Sequence, residues 1–460
     1  MNRGGEQTCL SARVRRDPQT DWSAMSRVIV AKFGGSSLAD AAHFETVKEI
    51  IEQDPARKYV VPSAPGKRAG DDHKVTDLLL MCHQLADHNI DPGEVFTLVR
   101  ERYTSIRDQL ELDVDVDAEL LKIRERIADG ATSDYVASRG EYLNGLLLAE
   151  HLGYEFVDAA DVIRFNGSGE YDHRATMSAL RERISDGLPA VIPGFYGADE
   201  EGEIRTFSRG GSDVTGAILA RGVRADLYEN WTDVSGFLQV DPRIVPEARP
   251  IEVVTYKELR ELSYMGASVL HEEAIFPVRE KGIPIQILNT DRPEDPGTLI
   301  VADDAHRQFV HVTGIAGMRD FTVVTLDKAL MNEESGFLRK LVSVFETNGV
   351  SILHVPSGID SVSVIVRSED IRFNLNRIIA ELRIYCQPDS ISILPGMALL
   401  AVVGRGMIQS PGIAGKIFSA LADAGVNIRM ISQGASELSI IIGVEDAQFD
   451  EAIRALYRVI

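Results

Sequence analysis

From Val28 onward, short apolar runs alternate with helical stretches, and no other feature of the chain restricts its fold as much. Strand patterning covers 28–33, 59–61, 155–158, 190–192, 226–229 and 284–289. Helical spacing covers about 41–53, 175–185, 212–221 and 255–264. It also dominates from Val75 to about His151, where Asp91-Pro92-Gly93 and the acidic stretch Glu111 to Glu119 break it. Strands that alternate with helices pair in parallel and are covered on both faces, so the pattern predicts an α/β fold with a mostly parallel sheet between helices. The densest Pro, Gly and acidic punctuation, Asp291 to Gly297, closes this first domain, expected over 26–305.

Beyond it the grammar changes and then repeats. A strand at 322–326, a helix at 336–348, strands at 350–355 and 361–366 and a helix at 368–382 are followed by the same series at 398–403, 411–424, 426–431, 438–444 and 447–457. In both rounds the first helix ends on a glycine, in Asn348-Gly349-Val350 and in Ala424-Gly425-Val426, where Gly supplies the C-cap. The chain thus carries two copies of one βαββα unit, about 75 residues apart.

Lys and Arg total 48 against 70 Asp and Glu, a formal net charge of −22. That field repels nucleic acid and anionic lipid surfaces alike. No apolar run approaches the roughly 18 residues needed to span a bilayer, and the expectation is a cytoplasmic protein. Cys9, Cys82 and Cys386 are scattered without ligand spacing, which gives neither a disulfide framework nor a metal site. Residues 1–25 carry Arg3, Arg13, Arg15 and Arg16 without an apolar stretch, and are expected to form a disordered leader rather than a secretory signal.

Four clusters carry chemistry. Lys32-Phe33-Gly34-Gly35-Ser36-Ser37 lies where a strand ends and a helix is about to begin, so that its glycines let backbone N–H groups approach phosphate oxygens and Lys32 can offset their charge. A plain strand-to-helix turn has the same look. Thr206-Phe207-Ser208-Arg209-Gly210-Gly211-Ser212-Asp213 is a second Gly-rich turn entering a helix, and it combines anion donors, a forked cation and a carboxylate, a set that suits a zwitterion beside a phosphate. Trp231-Thr232-Asp233-Val234-Ser235-Gly236, with Val240-Asp241-Pro242-Arg243, follows an apolar strand at the edge where open α/β sheets bind nucleotides. Ser138-Arg139-Gly140-Glu141 opens an apolar helix and offers Glu141 to an ammonium group.

In this order and spacing, Lys32 to Ser37, Gly140-Glu141, Thr206 to Asp213 and Trp231 to Arg243 resemble the aspartate kinase family, and the paired βαββα units resemble ACT domains. The likeness extends over 28–460. Pro65-Gly66-Lys67 with Lys74-Val75-Thr76-Asp77 is similar to the monofunctional, lysine-regulated subgroup, and the chain ends before any homoserine dehydrogenase region of the bifunctional kind. The resemblance implies an amino-acid-kinase fold followed by two βαββ-type ACT domains. It also implies ATP- and Mg²⁺-dependent phosphorylation of the β-carboxylate of L-aspartate, the entry to lysine, threonine and methionine synthesis. The chemistry agrees. That carboxylate is already ionised at neutral pH and needs no general base; its obstacle is repulsion between two anions, which positioning and fixed cations overcome.

By motif, Lys32 is implied as the main cation at the phosphates, with Gly34, Gly35 and Ser36 around the triphosphate and Thr232, Asp233 and Arg243 on the nucleotide. Arg209 is implied on the α-carboxylate of aspartate, Glu141 and Asp213 near its ammonium, and Ser212 and Thr76 complete the pocket; Lys32 and Asp213 are the two catalytic residues. Three positions depart from the family pattern: Ser268 stands where a Lys is usual, Leu238 where some members place a Tyr, and Pro62 lies in the strand before Ser63. Lys257 and Arg260 are candidate replacements for the missing cation.

ACT-like units pair side by side and bind small amino acids, so the resemblance implies a homodimer or higher homo-oligomer regulated by lysine, threonine or both. Met331, Gly336, Phe337 and Leu338, at the start of the first ACT helix, are the effector-site candidates; packing is the competing reading for Met331, Phe337 and Leu338. The units are expected over 306–392 and 393–460, and similar kinases complete the second with the segment before the first, here 309–315. Two alternatives stand. A carboxylate kinase of the same fold acting on glutamate or acetylglutamate is disfavoured by the ACT pair and by Ser208 to Asp213. A non-catalytic amino-acid sensor is disfavoured by the retention of Lys32, Glu141, Arg209 and Asp213.

Overall fold

The computed structural model describes residues 27–184, 187–208, 210–267, 272–302 and 312–460. The leader expected over 1–25 lies outside them. In chain order the first part comprises β1 (Ile29–Phe33), α1 (Ala41–Gln53), β2 (Arg57–Pro62), α2 (Val75–Asp87), α3 (Gly93–Gln109), α4 (Val116–Ala128), α5 (Ser133–Leu152), β3 (Glu155–Phe156), α6 (Ala159–Val162) and α7 (His173–Arg183). It continues through β4 (Ala190–Val191), β5 (Tyr196–Ala198), β6 (Ile204–Thr206), α8 (Gly211–Val223), β7 (Leu227–Thr232), β8 (Val253–Thr255), α9 (Tyr256–Tyr264), α10 (Glu272–Arg279), β9 (Ile285–Asn289) and β10 (Thr298–Val301).

Eight of these strands form one sheet in the order β3-β4-β2-β1-β7-β9-β10-β8, parallel except for the β9–β10 pair. Successive strand residues face opposite sides. Val30, Tyr59 and Val61 accordingly join one apolar cluster with Ala217 and Ile218 of α8, whereas Ala31, Phe33 and Val60 join another with Phe44 of α1 and Leu143 of α5. With β1, β2, β7 and β9 near the centre, the loops at 34–37, 63–66, 232–236 and 289–291 gather on one carboxyl edge, where open α/β sheets bind their ligands. Pro62 does not interrupt β2; it is the last residue of the strand, and its carbonyl accepts from Gly194 N–H at 3.0 Å.

The second part comprises β11 (Gly314–Asp327), α11 (Phe337–Thr347), β12 (Ser361–Arg367), α12 (Ser368–Ile371), α13 (Leu375–Tyr385), β13 (Ser390–Val403), α14 (Ile413–Asp423), β14 (Met430–Gln433), β15 (Ser439–Glu445) and α15 (Phe449–Tyr457). Its antiparallel sheet runs β12-β11-β13-β15-β14. The two central strands are each 14 residues long. From Phe321 to Asp327, β11 pairs with β12; its first residues, Gly314 to Met318, pair with Val403 to Leu399 of β13, which pairs in turn with β15. Of the segment 309–315, residues 309–311 lie outside the described residues. The strand expected at 350–355 does not form, and only isolated bridges join His354 to Ile365 and Ser357 to Val362. Pro356 has no N–H to donate there, and the chain bends at Ile359 and Asp360.

One face of this sheet is covered by α11 and α13 at one end and by α14 and α15 at the other. Its opposite face, through Ala316, Phe321, Ala401 and Ile441, packs in the same cluster as Leu259 and Leu262 of α9. The Glu258 carboxylate, on a residue 5% exposed, pins this contact. One oxygen closes the capping box of α9 with Thr255, at 3.0 Å from its N–H and 2.7 Å from its hydroxyl. The other accepts from the Thr313 hydroxyl at 2.7 Å and from Arg405 N–H at 3.0 Å. Among the described residues no helix is long and apolar enough to cross a membrane.

Candidate active site

The β1–β7 register sets Lys32 opposite Asn230. Lys32 is 7% exposed, and its Nζ lies 2.6 Å from Asp213 Oδ1 and 3.4 Å from Asn230 Oδ1. Asn230 Nδ2 donates to the same Asp213 oxygen at 3.0 Å. A buried ammonium needs such partners to hold its charge. The expectation set Asp213 beside a substrate ammonium; here its carboxylate rests on Lys32. Asp213 stands in the first turn of α8, entered through Gly210 at φ +57, a left-handed position that favours glycine.

The loops at the sheet edge are in backbone contact. Gly34 N–H donates to the Trp231 carbonyl at 3.0 Å and Gly66 N–H to the Gly35 carbonyl at 2.8 Å. A Cβ on Gly35 would stand 2.7 Å from the Ala64 carbonyl oxygen. Ser36 begins a short turn, Ser36–Leu38, in which the Ser37 hydroxyl meets that of Thr290 at 2.7 Å. Thr76 is half-buried at the start of α2, whose Val75 N–H reaches the Pro65 carbonyl at 3.3 Å.

Glu141 lies on α5, which is fixed to the same loop by Asn144 Nδ2 donating to the Ser63 carbonyl at 2.7 Å. The Glu141 carboxyl is buried, and its Oε2 finds no hydrogen-bond partner among the described residues. Burial pushes its pKa up to about 8, against the pull of the Ala64 N–H. An ammonium group would supply the missing partner. Ser212, 8% exposed, packs on Gly194, where an added Cβ would come within 2.6 Å of its hydroxyl. Arg209 lies outside the described residues.

Beside Thr232, whose hydroxyl donates to Asp233 at 3.2 Å, opens a cavity of about 1020 Å³. Asp233, Leu238, Arg243 and Arg292 line one side, and Gly317 and Met318 of β11 the other. The Arg243 side chain is 89% exposed and forks onto Asp241 at 2.7 Å. Ser268 lies outside the described residues. Lys257 and Arg260 are exposed and do not line the cavity; Arg292, in a segment that reads as punctuation, does. Asn230 also escapes the sequence reading, its one signal being an amide inside an apolar strand.

Of the effector candidates, Met331 and Phe337 are 6% and 3% exposed in the core beneath α11, where they pack. Gly336 precedes that helix at φ +80, and Leu338 is exposed. Nearby, Lys328 Nζ bonds to Glu334 and to the Cys386 carbonyl. Among the described residues no group of three or more His, Cys, Asp or Glu could hold a metal ion.

Residues 27–289 match the family model for the amino acid kinase family, and 400–460 match an ACT domain. The chain is 39% identical over 448 residues to aspartokinase 3 of Bacillus subtilis, covering 93% of this chain and 98% of that protein. The chain belongs to the aspartokinase family. The crystal structure of Clostridium acetobutylicum aspartate kinase is similar to it with a TM-score of 0.88 and 52% identity, over 94% of this chain and 99% of that one. Escherichia coli aspartokinase III in complex with aspartate and ADP, described as its R-state, gives a TM-score of 0.72 at 26% identity, over 94% of this chain and 100% of that one. The same enzyme in complex with lysine and aspartate, described as its T-state, gives the same score and identity over 94% and 99%.

Proposed function

We propose that this chain is a cytoplasmic, ATP-dependent aspartate kinase that forms 4-phospho-L-aspartate. The observation that carries the reading is the buried Lys32–Asn230–Asp213 cluster at the carboxyl edge of the sheet, with the partnerless Glu141 carboxyl on the neighbouring helix. A β-carboxylate oxygen of aspartate attacks the γ-phosphorus, the bond to the bridging oxygen of ADP breaks, and an acyl phosphate results. No proton need be removed from the nucleophile. Lys32 stabilises the charge that spreads over the transferring group, and Asp213 and Asn230 hold its ammonium in place. Glu141 faces the substrate ammonium, Arg209 the α-carboxylate, and Ser212 and Thr76 close the pocket. Gly34, Gly35 and Ser36 offer backbone and hydroxyl donors to the phosphates, while Asp233 and Arg243 line the cavity that takes the nucleoside and Thr232 precedes it.

Mg²⁺ would be carried on the nucleotide, since that ion keeps waters and phosphate oxygens and needs only one or two carboxylates, and Asp233, which lines the cavity, is the candidate among these residues; bound there it would neutralise phosphate charge. The E. coli relative's complexes with ADP and with lysine support nucleotide and amino-acid effector binding. We assign catalysis to 26–305 and effector binding by lysine or threonine, with homo-oligomer assembly, to two ACT units, the second completed by the opening residues of β11.

The test is a hydroxamate assay with ATP, Mg²⁺, L-aspartate and hydroxylamine, with and without lysine and threonine, beside Lys32→Ala. Aspartyl hydroxamate from wild type and not from the variant is the expected outcome. Nucleotide or lysine binding without any product would replace the kinase reading by the sensor.

A further inference from the structure

Two glycines of α5 mark where that helix meets the loops at the sheet edge. A Cβ on Gly140 would lie 2.8 Å from the Ala64 Cβ, and one on Gly145 would lie 2.7 Å from Cγ of Pro193. The Tyr103 hydroxyl holds the Gly140 carbonyl at 2.7 Å, while Gly194, beside Pro193, gives its N–H to the Pro62 carbonyl and packs on Ser212. Between the two contacts stand Glu141 and Asn144, three residues apart and so on one face of the helix. They hold the same peptide group. Asn144 Nδ2 donates to its Ser63 carbonyl at 2.7 Å, and Glu141 accepts from its Ala64 N–H.

Each of the two side chains has one oxygen left over. Glu141 Oε2 and Asn144 Oδ1 are buried, and among the described residues neither has a hydrogen-bond partner; Asn144 is 0% exposed. Turning the amide round would not relieve it, because its oxygen would then face the Ser63 carbonyl, which accepts and does not donate. Buried acceptors left unpaired are destabilising, and two of them at one peptide group call for a ligand that brings donors. A phosphate or carboxylate oxygen brings only lone pairs. An ammonium brings three N–H donors and no acceptor.

We propose that Asn144 is a second acceptor for the substrate ammonium, which it shares with Glu141, and that it makes the pocket select an α-amino dicarboxylate over one without the amino group. This rests on the aspartate kinase reading above. Glu141 supplies the charge. Asn144 supplies a neutral acceptor whose direction is fixed by the peptide it holds. A dicarboxylate without the amino group leaves both oxygens unpaired when it fills the pocket, the condition under which a polar site discriminates most strongly.

The test uses the full chain and two dicarboxylates that differ only in the amino group: L-aspartate as substrate in the hydroxamate assay, and succinate as its competitor. Asn144→Leu keeps the approximate shape and removes both polar atoms; Asn144→Ser, too short to reach both groups, reports where the leucine variant folds poorly. The expected outcome in either variant is a KM for aspartate raised at least about tenfold, with succinate inhibiting no more weakly than in wild type and the KM for ATP within about twofold. The ratio of the succinate inhibition constant to the KM for aspartate therefore falls at least about tenfold. An unchanged KM for aspartate overturns the assignment. So does an equal weakening of aspartate and succinate, which is the result if Asn144 only holds the Ser63 loop or a buried water; both leave the kinase reading intact. A wild type that forms no aspartyl hydroxamate removes both.

Discussion

Lys32 and Asp213 meet at 2.6 Å where β1 and α8 converge, and Asn230 bonds to both. The cation is thus already oriented before any ligand arrives. Its charge is balanced by a single carboxylate, which leaves it attractive to a phosphate that brings more negative charge than it finds.

Removing that cation should disable the chemistry. Lys32→Ala is expected to lower kcat by at least about 100-fold. It also leaves the Asp213 carboxylate, 15% exposed, without its ion partner, a loss of about 3 kcal/mol or more when such a pair is buried. Urea denaturation checks this part: the Lys32→Ala/Asp213→Asn double variant should be more stable than Lys32→Ala alone.

Glu141 should make the free protein sensitive to alkali. Its carboxyl titrates near 8 when folded and at an ordinary value near 4.5 when unfolded. Between these values the folded state holds a proton that the unfolded state has lost. The associated stability is complete below about 4.5 and disappears as pH rises through about 8. Glu141→Gln stays neutral, so it should melt a few degrees above wild type at pH 8.5 while its KM for aspartate rises at least about tenfold. At pH 7 aspartate binding to wild type should release a proton, because an ammonium favours the ionised carboxylate; calorimetry in buffers of different ionisation enthalpy reads it directly.

The contact between the 34–37 and 63–66 loops leaves no room for a methyl group. Gly35→Ala would place a carbon 2.7 Å from the Ala64 carbonyl oxygen, although its φ of −63° suits alanine. The strain is steric alone, and the loops must part to relieve it. The expected result is a kcat/KM for ATP reduced by about tenfold or more, with a circular dichroism spectrum unchanged.

Glu258 binds the regulatory sheet to the catalytic body. Glu258→Ala removes the acceptor for Thr255, Thr313 and the Arg405 N–H together, and should cost about 2–4 kcal/mol in urea denaturation. Thr313→Val should cost less, since one bond is lost and the carboxylate keeps its other donors.

The catalytic half was legible because its signals are local. Helix α1 spans Ala41–Gln53 as its apolar spacing indicates, and β1, covered on both faces, reads as an apolar run broken only by Lys32. The site was legible through its glycines and charges, but its connections were not. Thr255 and Glu258 form an ordinary capping box, whereas the other Glu258 oxygen bonds to residues 55 and 147 positions away. The role of Asn230 is hidden in the same way. At 350–355 the apolar spacing suited a strand, but only tertiary placement and Pro356 determine that the ladder fails.

The shared strands β11 and β13 give the regulatory half a mechanical character. They are bonded to each other from Gly314–Val403 to Asp327–Ser390, a span of about 45 Å. Its two ends therefore cannot slide past one another like separate modules. They form a single plank with one joint, between the Met318–Leu399 and Val323–Leu394 pairs, where the register shifts on both sides of Phe321–Met397 and where Asp320 stands at φ +66 and Gly396 at φ +71. Met318 sits beside that joint on the wall of the cavity next to Thr232. A tilt of the α11 end would therefore move the wall of that cavity as a lever moves its far arm.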